Sequence, residues 1–498
     1  MKNTIIFSTA LIFLFNVSNA QVETFDLSDF KLPYLRYETL DFDFGLNSQN
    51  QFESWKDTID YNILRSNITS RFNLGSRYQL YINTPSQQSN YSLITGFQTR
   101  PFNQSEQISS DESSVINRNS RVNFQIGGSS RNRFYNRNNM FLEIGPNINL
   151  NYYFDNAKNT QKDPSGNISF ERTRKNNDTQ LNAGIEIGVG FGRIEYVGDA
   201  QMALFILKDL KKKNRLEKEP THQEIYELAE LISRNRNRRF FDNRHLVIAQ
   251  IQSIDSLLLS RELVSQADAT YFTTIYDNWL YANNPSRPSG FRISAGPKVG
   301  YMLSVYNESE EYTDSPLLDS EFNYRYSYLD YGLWVNANSA KPLNHFWQQN
   351  LSVTLSYILA TNVNKILELP REQRRHNELQ LSLSATYGYY PDTRSYVSFG
   401  IQAGWHHITM ERYFYPVEDF NYDDEDLIYD RIFAGPNFNG YYYFSPRFRF
   451  NFNGSVNYNF HKTDNFGIFP LPVQNGFSLI THNRLNVFVN AGFTYALF

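Results

Sequence analysis

Residues 291–305 read Phe-Arg-Ile-Ser-Ala-Gly-Pro-Lys-Val-Gly-Tyr-Met-Leu-Ser-Val, with every odd position apolar and most even ones polar or glycine. A β-strand turns successive side chains to opposite faces, so this period of two gives one oily and one wet side. The layout recurs in Leu379, Leu381, Leu383, Ala385, Tyr387 and Tyr389, interleaved by Glu378, Gln380, Ser382, Ser384, Thr386 and Gly388. Working outward with alternation and turn residues predicts about 14 strands. Their centres lie near Phe42, Phe72, Leu93, Phe124, Ile148 and Ile187, then Val299, Leu333, Val353, Leu383, Ile401, Phe438, Phe452 and Val489. The expected fold class is an all-β transmembrane barrel of about 14 antiparallel strands with an α-helical periplasmic insertion. A soluble β-sandwich with core aromatics is the alternative.

Met1–Ala20 carries Lys2, an apolar run from Ile5 to Phe15 and the small-residue site Ser18-Asn19-Ala20, the three parts of a secretory signal. The run is shorter than the ~18 residues of a spanning helix, so an exported chain starting at Gln21 is expected. The absence of cysteine excludes disulfides, thiol catalysis and a lipid-modified N-terminal cysteine. A net charge of −4 offers no basic field, and nucleic acid is not expected as a partner. The negative mean hydropathy is compatible with a barrel, because half of each strand faces water. The 40 Phe and 35 Tyr, some in runs such as Tyr441-Tyr442-Tyr443-Phe444, suit aromatic girdles at the headgroup layers. The expected organisation is a signal peptide (1–20), a periplasmic N-terminal segment (21–37), strands one to six (38–195), the helical insertion (196–290) and strands seven to fourteen (291–498).

Links between strands sort by length. Short ones are expected at Asn83 to Asn90, Lys341 to His345, Pro391 to Arg394 and Ser445 to Arg447. Long ones are expected at Phe102 to Arg118, Asp155 to Asp178, Asn307 to Glu321, Asn362 to Asn377, Glu411 to Arg431 and His461 to Asn483. Barrels of this kind have short periplasmic turns and longer outer loops, so the insertion, which follows an even strand, is expected on the periplasmic side. Within it Asp199 is expected to cap a first helix, Thr221-His222-Gln223-Glu224 reads as a capping box, and further helices are expected over about Leu246 to Val264 and Asp268 to Tyr281. Whether Gln21 to Tyr37 plugs the bore is open on sequence.

The expected lumen-lining residues are Arg65, Arg71, Arg77, Arg121, Glu143, Glu186, Arg292, Lys298, Glu378 and Arg449. They either line water and bias ion passage or pair across the lumen as a structural network. Asn147, Asn149, Asn151, Asn437, Asn439, Asn451, Asn453 and Asn457 add a neutral hydrogen-bonding wall, suited to polar solutes and to water alike. Basic runs in the insertion, Lys211, Lys212, Lys213 and Arg215, then Arg234, Arg236, Arg238 and Arg239, are candidates for peptidoglycan, anionic lipid or an acidic periplasmic protein, or are a solvated helix face. Acidic clusters at Glu308, Glu310, Glu311 and Asp314, and at Asp423, Asp424, Glu425 and Asp426, lack the spacing of a calcium loop. No metal or cofactor is expected. His406 and His407 adjoin Trp405, alternation sends only one of them inward, and Ser398 is eight residues away, beyond reach at ~3.4 Å per residue. With the other histidines scattered, no catalytic residues and no enzyme activity are expected.

The motif Ala295-Gly296-Pro297, repeated as Ala434-Gly435-Pro436 and as Gly145-Pro146, together with the Tyr- and Asn-rich strands, resembles Bacteroidota-type outer membrane β-barrel proteins of undefined function. The resemblance implies fold and outer membrane location, and no substrate or site residue. A terminal aromatic, Phe498, resembles the assembly signal of such proteins, although it lies one residue out of phase with the apolar face Leu485 to Leu497. The function expected first is a channel or transporter for small polar solutes, and the alternative is an envelope scaffold whose helices dock peptidoglycan or a periplasmic partner. Outer membrane lipid, lipopolysaccharide and the barrel assembly machinery are the expected contacts of the barrel itself.

Overall fold

The computed structural model describes residues 25–32, 34–56, 62–108, 114–236, 243–265, 268–281, 287–313, 315–366, 372–410, 427–445, 447–465 and 478–495. Met1–Ala20, Arg238, Arg239, Asp314, Asp423 to Asp426 and Phe498 lie outside them. The chain forms β1 (Leu35–Lys56), β2 (Asn62–Thr84), β3 (Gln87–Ile108), β4 (Ser114–Tyr135), β5 (Met140–Lys162) and β6 (Ile168–Tyr196). Helices α1 (Gly198–Lys212), α2 (His222–Arg236), α3 (Asn243–Ser260) and α4 (Ala269–Leu280) follow. Then come β7 (Pro288–Tyr312), β8 (Ser320–Pro342), β9 (Trp347–Ile366), β10 (Glu372–Tyr389), β11 (Ser395–Met410), β12 (Leu427–Ser445), β13 (Phe448–Asn465) and β14 (Ser478–Tyr495). These strands make one fourteen-stranded sheet in sequence order, each pair antiparallel. All fourteen expected centres fall inside a strand.

Register carries the alternation intact across the sheet. Phe44 faces Leu74, Leu74 faces Phe97 and Phe97 faces Phe124, and farther on Val299 faces Tyr331 and Tyr458 faces Leu485. These side chains stand on one face and are solvent-accessible, as are Leu333 at 62% and Ile401 at 61% exposure. A sheet face this apolar and this uncovered is not the inside of a sandwich, whose facing layers bury such residues.

The strands run longer than alternation predicts. β6 has 29 residues and β11 has 16, contour lengths of about 100 and 55 Å at ~3.4 Å per residue. Four links expected to be long are therefore mostly strand: β3 continues to Ile108, β5 to Lys162, β7 to Tyr312 and β9 to Ile366. The reason is chemical. Beyond the apolar zone both faces are polar, so periodicity vanishes from the sequence while the backbone ladder continues. Ion pairs add to the ladder there, Arg174 with Glu308 at 3.1 Å and Lys158 with Glu171 at 2.8 Å.

Each Gly-Pro pair interrupts one ladder and keeps the other. β7 loses its pairing with β6 at Gly296-Pro297 yet keeps Gly296 opposite Trp334 and Pro297 opposite Leu333 on β8. β12 does the same toward β13 at Gly435-Pro436, and β5 toward β4 at Gly145-Pro146. Proline has no N–H to donate, and at two of the three the neighbouring carbonyl closes onto the glycine: a Cβ would lie 1.9 Å from the Ile187 oxygen at Gly296 and 1.7 Å from the Val456 oxygen at Gly435, whereas at Gly145 the Ser130 oxygen is 3.7 Å away.

The hydrophobic core of the molecule is in the helices. Ala203, Ile206, Leu210, Leu228, Ile232, Ile254, Leu258 and Ile275 are buried together, joined by Phe25, Leu27 and Phe30 of the N-terminal segment. Those three apolar side chains tie the segment to the helical bundle. The capping box forms as expected, with the Thr221 N–H donating to Glu224 Oε2 at 2.8 Å and the Glu224 N–H to Thr221 Oγ1 at 3.3 Å. Asp268 caps α4. Asp199, by contrast, lies inside the first turn of α1 and pairs with Arg236 at 2.6 Å; Val197 is the capping residue.

Candidate functional site

The face opposite the apolar one collects the polar residues. Register places Arg65, Arg71, Arg77, Arg121, Glu143, Glu186, Arg292, Lys298, Glu378 and Arg449 together on it. Most are paired. Arg65 binds Glu106 at 2.7 Å, Arg121 binds Asp155 at 3.2 Å, and buried Glu143 takes Arg133 at 2.7 Å and Arg131 at 3.4 Å. Arg131 also reaches Glu186 at 2.9 Å, Lys298 stands directly across from Glu186, and Arg292 lies among Arg133, Tyr135 and Glu143. Glu378 bridges His376 at 2.9 Å and His406 at 3.2 Å. Arg449 donates to the Tyr443 hydroxyl at 3.1 Å and lies over the rings of Tyr441 and Tyr443. Arg71 and Arg77 are exposed, Arg77 directly across from Asp41. The charges of β4 to β7 thus form a lateral network along the wall.

Two concavities open on this face. One, about 310 Å³, is lined by Asn147, Asn182, Glu186, Lys298, Tyr328 and Asp330. The other, about 410 Å³, is lined by Asp43, Asn73, Gln98, Asn123 and Gln125. The expected asparagines share the face and bond laterally, as in Gln125 to Asn149 at 3.4 Å and Gln402 to Asn457 at 2.7 Å. Small residues make room for large ones: Trp334 lies against Gly188, Phe141 against Gly190 and Phe433 against Gly404.

The helices latch onto the short turns at one end of the sheet. Arg287, fully buried at the entry to β7, donates to the carbonyls of Asn344, His345 (2.7 Å) and Trp347 (2.6 Å) and to Gln348 Oε1 (3.0 Å), and lies over the Tyr390 ring. Burial lowers its pKa to about 10, which leaves it charged at neutral pH. From α1, Gln201 donates to the His345 carbonyl at 2.9 Å, and Phe205 and Lys208 pack on Phe346. From α4, Asp277 binds Arg394 at 2.7 Å and Asn278 accepts from Thr393 at 3.3 Å. His345 Nε2 is 3.2 Å from the Phe25 carbonyl, which fixes the N-terminal segment to the same turn. None of Arg287, Arg394, Asp277 and Gln201 carries a motif; only tertiary placement brings them together.

This latch has a pH response. Burial holds the His345 imidazole below its ordinary value, so the unfolded chain takes up a proton before the folded one does. The stabilisation is present above about pH 6.5 and is lost as pH falls through the folded value. Hydrogen-exchange protection of Phe25–Phe30 is expected to drop between pH 7.5 and 5.5 in the wild type and not in His345→Gln. Equal protection at both pH values in the wild type would remove the assignment.

The basic residues expected to meet a partner are largely engaged within the bundle. Lys211 pairs with Glu219, Arg234 with Glu230, Arg236 with Asp199 and Arg215 with Asp268. Lys212 and Lys213 are exposed. Glu308, Glu310 and Glu311 pair with Arg174, Arg172 and Lys175. No group of three His, Asp or Glu that could hold a metal occurs among the described residues. His406 and His407 part to opposite faces as alternation requires: His407 turns to the apolar face, where Nδ1 is 2.8 Å from Asp430 and Nε2 is 3.2 Å from the Thr409 hydroxyl. No protein-family model matches the chain, and no curated protein matches it.

Proposed function

We propose that the sheet closes into a barrel in the outer membrane of a Gram-negative cell, of the Bacteroidota type, and passes small polar solutes through a lumen formed by the polar face. The observation that carries this reading is the segregation across all fourteen strands of an uncovered apolar face from a polar one. Lipid and lipopolysaccharide then surround the apolar face, the assembly machinery inserts it, and closure leaves no open sheet edge in hydrocarbon. The helices sit at the periplasmic mouth, latched by Arg287 and Arg394, and act as a gate. Many wall charges are paired side to side while Arg71 and Arg77 stay exposed, so the solute meets amides, neutralised ion pairs and a few open guanidinium groups, an environment for small polar molecules.

In planar bilayers the protein is expected to show small conductance steps that grow when the Arg394–Asp277 pair is removed by Asp277→Ala. A wild type and an Asp277→Ala variant that both insert and both fail to conduct would end the channel reading. The exposure of Lys212 and Lys213 supports the second reading, a scaffold whose helices dock peptidoglycan. Co-sedimentation with sacculi that survives their replacement by Gln would count against it.

A further inference from the structure

We propose that the apolar face carries a second activity, hydrolysis of the acyl esters of surrounding glycerolipids, performed by Thr409, His407 and Asp430. This goes beyond solute passage and uses the opposite side of the wall. An ionised carboxylate can only accept, so the 2.8 Å contact of Asp430 Oδ1 with His407 Nδ1 puts the imidazole proton on Nδ1. Nε2 is then a bare acceptor, and the Thr409 hydroxyl 3.2 Å away must donate to it. Trp405 Nε1 donates to the same carboxylate oxygen at 3.1 Å, and its ring lies against the imidazole. The result is a hydroxyl, an imidazole of fixed tautomer and an orienting carboxylate, the roles that activate a nucleophile in acyl transfer.

Position selects the substrate. On β11 the residues of this face run Phe399, Ile401, Ala403, Trp405, His407 and Thr409. Phe399 and Ile401 are among the most exposed apolar side chains of the wall, and Trp405 follows them where an indole marks the boundary with the headgroups. His407 and Thr409 stand one and two side chains beyond it, at the level where the ester linkages of a glycerolipid lie. They are also at the end of the strand away from the helices. Asn377 is directly across from Thr409 on β10, exposed, with amide N–H groups suited to an oxyanion.

The reaction balances without a cofactor. The Thr409 oxygen bonds to the ester carbonyl carbon as its proton passes to His407 Nε2. The carbon–alkoxy bond breaks, and the lysolipid alcohol leaves with that proton. Water then attacks the acyl-threonine, giving one proton to His407 and from there to the Thr409 oxygen, and the fatty acid departs. The net change is ester plus water to acid plus alcohol.

The test uses the full-length protein in two settings, phosphatidylethanolamine vesicles carrying a radiolabelled acyl chain and detergent micelles carrying a p-nitrophenyl acyl ester. Release of acid or p-nitrophenol above protein-free controls is expected, reduced at least 100-fold in His407→Ala and Thr409→Ala and retained in Thr409→Ser. Asp430→Asn is expected to reduce it less than His407→Ala does. A mass increase of one acyl group on the Thr409 peptide is expected on rapid quenching. Release that persists in Thr409→Ala, or wild-type protein inactive in both settings, overturns the proposal. Activity in micelles without stable insertion into vesicles would instead count against the membrane reading and leave the triad standing.

Discussion

Arg287→Met is expected to detach the helical bundle from the sheet at a cost on the order of 3–5 kcal/mol, because three carbonyls and the Gln348 amide oxygen lose a charged donor in a buried place. Methionine fills much of the volume and restores none of the bonds. Arg287→Lys should rescue little, since an ammonium cannot present the planar fork that reaches four acceptors at once. Limited proteolysis is the direct measurement: cleavage within 198–280 should rise in Arg287→Met while the strands stay protected. In bilayers the same variant should conduct more than the wild type. A bundle as protease-resistant as in the wild type would show that the latch is not where the helices are held.

Leu333→Arg is expected to separate the membrane reading from an aqueous one. Leu333 lies on the apolar face of β8 at 62% exposure, so in water the substitution should change stability by no more than about 0.5 kcal/mol. Against lipid, a charge near the midplane should cost about 2–4 kcal/mol. Reversible unfolding from vesicles measures the difference. A variant as stable as the wild type there would remove the surrounding hydrocarbon from the account, and with it the solute channel.

The strand centres were legible because each apolar zone keeps its period of two, as in Phe291 to Val305. Strand ends were not legible, because Arg172, Arg174, Glu308 and Glu310 read as loop when both faces are wet, although register joins them. The capping box at Thr221–Glu224 is a local device and is visible in four letters; Asp199 resembled a cap because nothing local announces its ion pair with Arg236. The polar face was readable from parity alone. The pairing along it was not, since Arg131 meets both Glu143 and Glu186 only through two strand registers. For the same reason Ser398 was weighed against His406, whereas the hydroxyl that meets an imidazole is two positions from His407 and the carboxylate comes from the next strand. His407-Ile408-Thr409 is the signal that was present, and Asp430 needed the fold.

The three Gly-Pro interruptions, with a like gap at Arg100-Pro101, divide the wall into panels: β1 with β2, β3 with β4, β5 with β6, β7 to β12, and β13 with β14. Between panels the stitching is missing for two residues, and a carbonyl rests on a bare Cα where Ile187 meets Gly296 and Val456 meets Gly435. These are fold lines. Gaps of this kind let a long antiparallel sheet bend across its strands, and the chain writes three of them in the same two letters.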